Sequence, residues 1–135
     1  MTPAEAFAAI ALAAIACDGV VDPHEAAILR AQLDGRHPYV DLGQERMGHL
    51  FEGLLQLLHD QGWRELIARA IPTLSPSQRE TALAMAAHLV HCDRAVNAVE
   101  NGLLQEMAAR MSLPEGRADQ ILEVITVLHR DSLAT

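Results

Sequence analysis

Apolar residues return at three- and four-residue intervals along most of the chain, which is the spacing of one face of an α-helix. The clearest examples are Leu50, Leu54, Leu57 and Leu58 in the middle of the chain and Ile121, Leu122, Ile125 and Leu128 near its end. No segment has the alternation of apolar and polar residues that is typical of a half-buried strand. The pattern therefore predicts an all-α protein.

Helix-start signals precede most of these segments. Thr2-Pro3-Ala4-Glu5 has the form of a capping box, in which a Thr N-cap and a Glu three positions later satisfy each other's backbone N–H groups. Similar starts are predicted at Asp22-Pro23-His24-Glu25, Asp41-Leu42-Gly43-Gln44, Ser75-Pro76-Ser77-Gln78, Asn97-Ala98-Val99-Glu100 and Ser112-Leu113-Pro114-Glu115. About seven helices follow, near residues 3–17, 23–34, 42–60, 63–71, 76–92, 98–111 and 114–130, in a single domain covering 1–135.

Composition indicates how these helices pack. Hydrophobic residues make up 50% of the chain but aromatic residues only 3%, so the core must be built from Ala, Leu, Ile, Val and Met. The apolar stretch 6–16 lacks a basic flank and is too short to span a bilayer, and we expect it to be a core helix.

The charge and the cysteines narrow the class of protein further. A net charge of −8 disfavours nucleic acid and anionic membranes as partners, because both attract clustered Lys and Arg. The two cysteines do not form a disulfide framework. A Cys17–Cys92 bridge is conceivable, but buried thiols in a reducing cytoplasm are the favoured interpretation.

One acidic phrase occurs twice, at a constant offset of 75 residues. Cys17-Asp18-Gly19-Val20-Val21-Asp22-Pro23-His24-Glu25 is echoed by Cys92-Asp93-Arg94-Ala95-Val96-Asn97-Ala98-Val99-Glu100. Each copy lies between two predicted helices. We therefore expect two pseudo-symmetric helical hairpins, at about 3–34 and 76–111, joined by a helical insert.

The second half of each phrase has a structural explanation. Asp22 with Glu25, and Asn97 with Glu100, have the spacing of capping boxes, and an N-cap residue contributes about 1 kcal/mol. Capping does not explain the leading aspartates, Asp18 and Asp93. Each is predicted in the last turn of a helix, where the helix dipole disfavours an anion unless a cation or a basic side chain offsets it.

A bound cation would use both halves of the phrase. Asp18, Asp22 and Glu25 in the first copy, and Asp93, Asn97 and Glu100 in the second, supply only oxygen ligands, which favours Ca²⁺, with Mg²⁺ or Mn²⁺ as alternatives. The spacing is not that of an EF-hand. The second copy has one negative charge fewer and is expected to bind more weakly or not at all.

The two phrases resemble the acidic turns of the TerB-like domains, the tellurite-resistance TerB superfamily. The matching text is Ala16 to Glu25, with a degenerate copy from His91 to Glu100, and the resemblance extends over essentially the whole chain. It implies an all-helical fold with two related halves and a metal site at the acidic cluster. It also implies a loose association with resistance to tellurite and other stresses, with no established enzymatic activity. Cys17, Arg94 and Asn97 depart from the family pattern.

Two alternatives remain from the residues themselves. One is a metal-free interaction adaptor that docks a protein partner. Separately, His88, His91 and Cys92 cluster near the end of one predicted helix, and His88 and Cys92 share a face. Alone these residues supply too few ligands for a structural zinc site, and surface histidines beside a buried thiol are the favoured interpretation.

Overall fold

The computed structural model describes residues 1–16, 21–92 and 97–135, and the regular structure of these residues is entirely helical. The helices are α1 (Pro3–Ile15), α2 (Pro23–Asp34), α3 (Gly43–Ala70), α4 (Pro76–His91), α5 (Ala98–Arg110) and α6 (Arg117–Leu128). Two short 3₁₀ turns, Tyr39–Asp41 and Ile71–Thr73, flank α3. The all-α prediction is confirmed.

The count of about seven helices becomes six α-helices among the described residues because two predicted helices run together as α3. The break expected near Gly62 is present: this residue has φ 85° and ψ 167° in an otherwise helical segment. Glycine adopts such a backbone without the steric cost that a Cβ would impose. The chain therefore kinks at Gly62 and continues directly into a second helical stretch.

Helix α1 lies at the centre of the molecule and packs mainly against α3 and α4. It is buried almost all round, and most of its buried side chains are alanine. Small side chains let neighbouring backbones approach closely, while Ala costs the least to place in a helix. The expected core helix is thus confirmed, with the boundary at Ile15. None of the described helices is long and apolar enough to cross a lipid bilayer.

Three of the predicted capping boxes are present with both reciprocal hydrogen bonds. They join Thr2 with Glu5, Ser75 with Gln78, and Asn97 with Glu100. At the start of α2, Asp22 is the N-cap and accepts from the backbone N–H of Glu25.

Two predicted starts are wrong. Asp41 belongs to the preceding 3₁₀ turn, and α3 begins after Leu42 without a side-chain cap. Ser112 has φ 52° and directly follows the C-cap of α5, so it terminates that helix instead of opening the next. Helix α6 begins later, after Gly116 in the left-handed conformation.

Helices α4 and α6 pack together and run in the same direction. Near their starts, the Arg117 guanidinium donates to both Glu80 carboxylate oxygens, at 2.6 and 3.4 Å. At their ends, the rings of His88 and His129 are in contact. Unlike α1, α6 has no fully buried residue. Its inner side is half-buried on the core, whereas Val124, Val127 and Leu128 are exposed.

Candidate functional site

The predicted acidic residues fall into two groups. Asp18 and Asp93, together with Cys17, lie outside the described residues. Asp22, Glu25, Asn97 and Glu100 are described.

The two N-caps have closely matching geometry. Asp22 has φ −77° and ψ 159°, and Asn97 has φ −82° and ψ 173°. Each side-chain Oδ1 accepts a hydrogen bond of 2.8 Å from the backbone N–H three residues later. That bond, made to the charged form, lowers the pKa of the Asp22 carboxyl. The capping interpretation of these two residues is confirmed, and their Oδ1 atoms are engaged in it.

Glu25 and Glu100 line the same small cavity, although they come from different copies of the phrase. The remaining lining residues are Ile15, Ile28, Leu89 and Val90. The cavity has a volume of about 20 Å³, which is the space that one water molecule or one small ion needs. Both glutamates are half-buried. The Oε1 atom of Glu100 accepts from the Asn97 N–H at 3.3 Å, so its second oxygen is not used in the capping box.

A second cluster brings together His88, Cys92 and His129. One ligand atom from each can be chosen so that all three lie within 4.8 Å of one another. Cys92 Sγ lies 3.7 Å from His88 Nε2, and His88 Nδ1 lies 2.8 Å from His129 Nε2. All three side chains are half-buried, so Cys92 is less buried than the sequence indicated. This is the only group of three or more such residues that the described part of the chain brings within metal-binding distance.

Helix ends hold this second cluster in place. Cys92 is the C-cap of α4 and lies one turn after His88, to whose carbonyl its N–H donates at 3.0 Å. His129 is the C-cap of α6, and its N–H donates to Ile125. The parallel packing of α4 and α6 therefore brings both C-termini, with their partial negative charge, to one place.

His91 extends the cluster. Its ring stacks on that of His129, with centroids 5.3 Å apart and an interplanar angle of 17°. Burial lowers the pKa of both His88 and His91, and repulsion from His129 lowers both further. The 2.8 Å contact between His88 and His129 requires one ring nitrogen to donate and the other to accept. His88 and His91 thus favour the neutral imidazole.

Sequence reasoning found His88, His91 and Cys92 but not His129. Nothing in its spacing links His129 to the other three, because it lies on a different helix and no motif precedes it. Its only signal was its place at the end of the last predicted helix. The packing of α6 on α4 supplies the third ligand.

Comparison with known proteins adds no relative: no family model, curated protein or solved structure matches this chain.

Proposed function

We propose that this protein is a small helical module that binds a divalent cation, Ca²⁺ in the first place, at its two acidic turns. The observation that carries the proposal is that Glu25 and Glu100, one from each copy of the phrase, line one ion-sized cavity. The ligands would come from Asp18, Asp22 and Glu25 of the first copy and Asp93, Asn97 and Glu100 of the second.

The chemistry of the cavity supports an ion. The other residues that line the cavity are aliphatic, and a hard cation there would offset the two negative charges of the half-buried glutamates. One carboxylate oxygen of Glu100 accepts a hydrogen bond in the capping box, and the other could bind the metal. The shared cavity modifies the expectation of two unequal sites: we propose a single ion bridged by both turns.

Stoichiometry tests this proposal. Metal-free protein is titrated calorimetrically with Ca²⁺, Mg²⁺ and Mn²⁺, and we expect one ion per chain. At about 100 times the dissociation constant, the ion adds roughly 2.7 kcal/mol of stability, which for this length corresponds to a rise in Tm of about 10 °C. The absence of both heat and a Tm shift with all three ions would refute ion binding.

Glutamine variants separate ion binding from capping. Glu25→Gln and Glu100→Gln remove a charge but keep the side-chain oxygen that a capping box needs, as Gln78 does in the box at the start of α4. Each is expected to lower the affinity for the ion by at least about tenfold. The matched control is Glu5→Gln, which alters the capping box of α1 in the same way but does not line the cavity. If each cavity variant removes one of two binding events, the turns act separately.

The TerB-like relationship and the two pseudo-symmetric halves belong to the same proposal. Their support is the matched N-cap geometry of Asp22 and Asn97 at equivalent places in the two phrases. The associated role is resistance to tellurite and related stress. Cells that lack the protein should regain growth on tellurite with the native chain but not with the double Glu25→Gln, Glu100→Gln variant.

A second candidate function, the metal-free interaction adaptor, is favoured by a different feature. Val124, Val127 and Leu128 of α6 are all exposed, with 49–65% of their surface accessible. An apolar strip on a packed helix is a typical contact for a partner helix. If this is the function, Val124→Glu with Val127→Glu abolishes chemical crosslinking to the partner in cells, and Asp18→Ala leaves it intact.

A further inference from the structure

We propose that His88, Cys92 and His129 form a binding site for a thiophilic transition-metal ion of the Zn²⁺ class, separate in residues and in chemistry from the acidic turns. The site would join the C-terminal ends of α4 and α6. It does not depend on the proposed calcium site, because the two share no ligand.

The donor atoms determine the class of ion. One thiolate and two imidazoles suit Zn²⁺, Co²⁺ or Cu⁺ and are poor ligands for Ca²⁺ or Mg²⁺. Cys92 and His88 are four residues apart on one helix, which is a common spacing for two ligands of one metal, and His129 approaches from another helix. The third ligand removes the objection that the sequence raised against this cluster.

The distances fit a tetrahedral ion after a small contraction. Zinc–nitrogen and zinc–sulfur bond lengths place neighbouring ligand atoms about 3.3–3.6 Å apart. Cys92 Sγ and His88 Nε2 are 3.7 Å apart, and the widest separation within the set is no more than 4.8 Å. To close that gap, side-chain rotation must move the ligand atoms by about 1 Å. The hydrogen bond between His88 and His129 is then exchanged for a bond from each ring to the ion.

The surrounding structure favours positive charge at this point. Two helices end here, and each C-terminus carries partial negative charge. Three protein ligands leave a fourth position, which we assign to water. His91, stacked on the His129 ring, acts as a positioning residue that holds the ring toward the ion.

The consequence for the fold is that a bound metal ion would attach α6 to the rest of the molecule. The start of this helix is held by the Arg117–Glu80 pair, and no residue along the helix is fully buried. An ion at His129 would hold the opposite end to α4. The site is therefore structural, and its occupancy controls how firmly α6 is docked.

Cobalt reports directly on such a site. The full chain, reduced with a phosphine and freed of metal, is titrated with Co²⁺ and then with Zn²⁺. We expect one equivalent of cobalt to give a sulfur-to-cobalt charge-transfer band and the intense visible bands of tetrahedral Co²⁺, and zinc to abolish both. An octahedral spectrum without the charge-transfer band would overturn the proposal.

Variants assign the ligands. Cys92→Ser should remove the charge-transfer band, and a band that persists would place the sulfur ligand elsewhere and refute the site. His129→Gln should lower the affinity for zinc by about 100-fold or more. His91→Gln should weaken it less and leave the tetrahedral bands in place. His129 is the C-cap of α6, beyond the last helical residue, so this variant is expected to retain the fold, which circular dichroism verifies.

Two controls complete the experiment. His59→Gln changes a histidine that is 81% exposed and lies outside the cluster, and it should leave zinc affinity unchanged. Glu100→Gln should weaken calcium binding by at least about tenfold but keep the cobalt spectrum. If His59→Gln weakens zinc as much as His129→Gln does, binding is non-specific surface coordination and the inference fails.

Discussion

Helices α1 and α6 are of similar length, 13 and 12 residues, yet the fold uses them in opposite ways. Helix α1 is buried on nearly every side by small residues, whereas α6 lies on the surface with no residue fully buried and three aliphatic side chains exposed. Helix α1 is held mainly by close packing, with one hydrogen bond from the Tyr39 hydroxyl to the Ala4 carbonyl. The attachment of α6 combines a half-buried apolar side, one ion pair and one histidine cluster. A ligand bound at the histidine cluster would therefore act on the attachment of α6 and not on that of α1.

Removing a large side chain should give the largest difference between the two helices in the free energy of unfolding that is lost. Leu12→Ala in α1 leaves a cavity at a residue that is 1% exposed, and we expect a loss of about 2–5 kcal/mol in the free energy of unfolding. Ile125→Ala in α6 removes a half-buried side chain and should cost about 1 kcal/mol. Denaturant unfolding measures both. Equal losses would mean that α6 is as essential to the core as α1.

Adding volume should produce the next largest difference. Ala9→Leu in α1 forces a larger side chain into a site with no exposed surface and should destabilise by about 1–3 kcal/mol. Ala118→Leu makes the same change in α6, where the residue is half-buried and its neighbours can adjust. The second variant should stay within about 0.5 kcal/mol of the native protein. A loss as large as that of Ala9→Leu would contradict the loose packing of α6.

The smallest effect is expected at the ion pair that holds the start of α6. The Arg117 hydrogen bond lowers the pKa of Glu80, so the folded state binds the proton more weakly than the unfolded chain does. The stabilisation is complete above the ordinary pKa of 4.5 and is lost as pH falls through the lowered value.

Hydrogen exchange should detect this loss. Below about pH 4.5 the amides of α6 should lose protection before those of α1, and Glu80→Gln should abolish this dependence of α6 protection on pH. The Arg117 side chain is 49% exposed and that of Glu80 28%, so solvent screens the pair; the Tm of Glu80→Gln should fall by less than about 3 °C at neutral pH, and by less still in high salt. Simultaneous loss of protection in both helices would show that α6 does not open independently.

The sequence predicts the helices well where the relevant chemistry is local. Thr2-Pro3-Ala4-Glu5 and Ser75-Pro76-Ser77-Gln78 identify helix starts because the capping partners are three residues apart. Ser112 shows the limit of this reasoning. The same residue type suits an N-cap, but the preceding helix already uses Ser112, in the left-handed conformation, at its end.

The same distinction between local and non-local interactions applies to the candidate sites. Asp22 and Asn97 cap their helices as predicted, since that interaction is local. Glu25 and Glu100 line one cavity, and His88 contacts His129, only because helices that are distant in sequence pack together. Periodicity identifies which face of a helix is apolar. It does not identify which residue of another helix packs against the end of that face. The bound ion and the TerB-like relationship stay predictions.

The burial of α1 has a consequence for synthesis of the chain. Its covering helices, α3 and α4, come later in the sequence, and α4 ends only at His91. At translation rates of about 5–20 residues per second, the alanine-rich segment spends several seconds outside the ribosome before its partners emerge. During that interval α1, the most apolar of the described helices, is exposed to solvent or to a chaperone. A helix that is made before both of its covering helices is enclosed late, and nascent chains stalled before α4 should be the species most prone to aggregate.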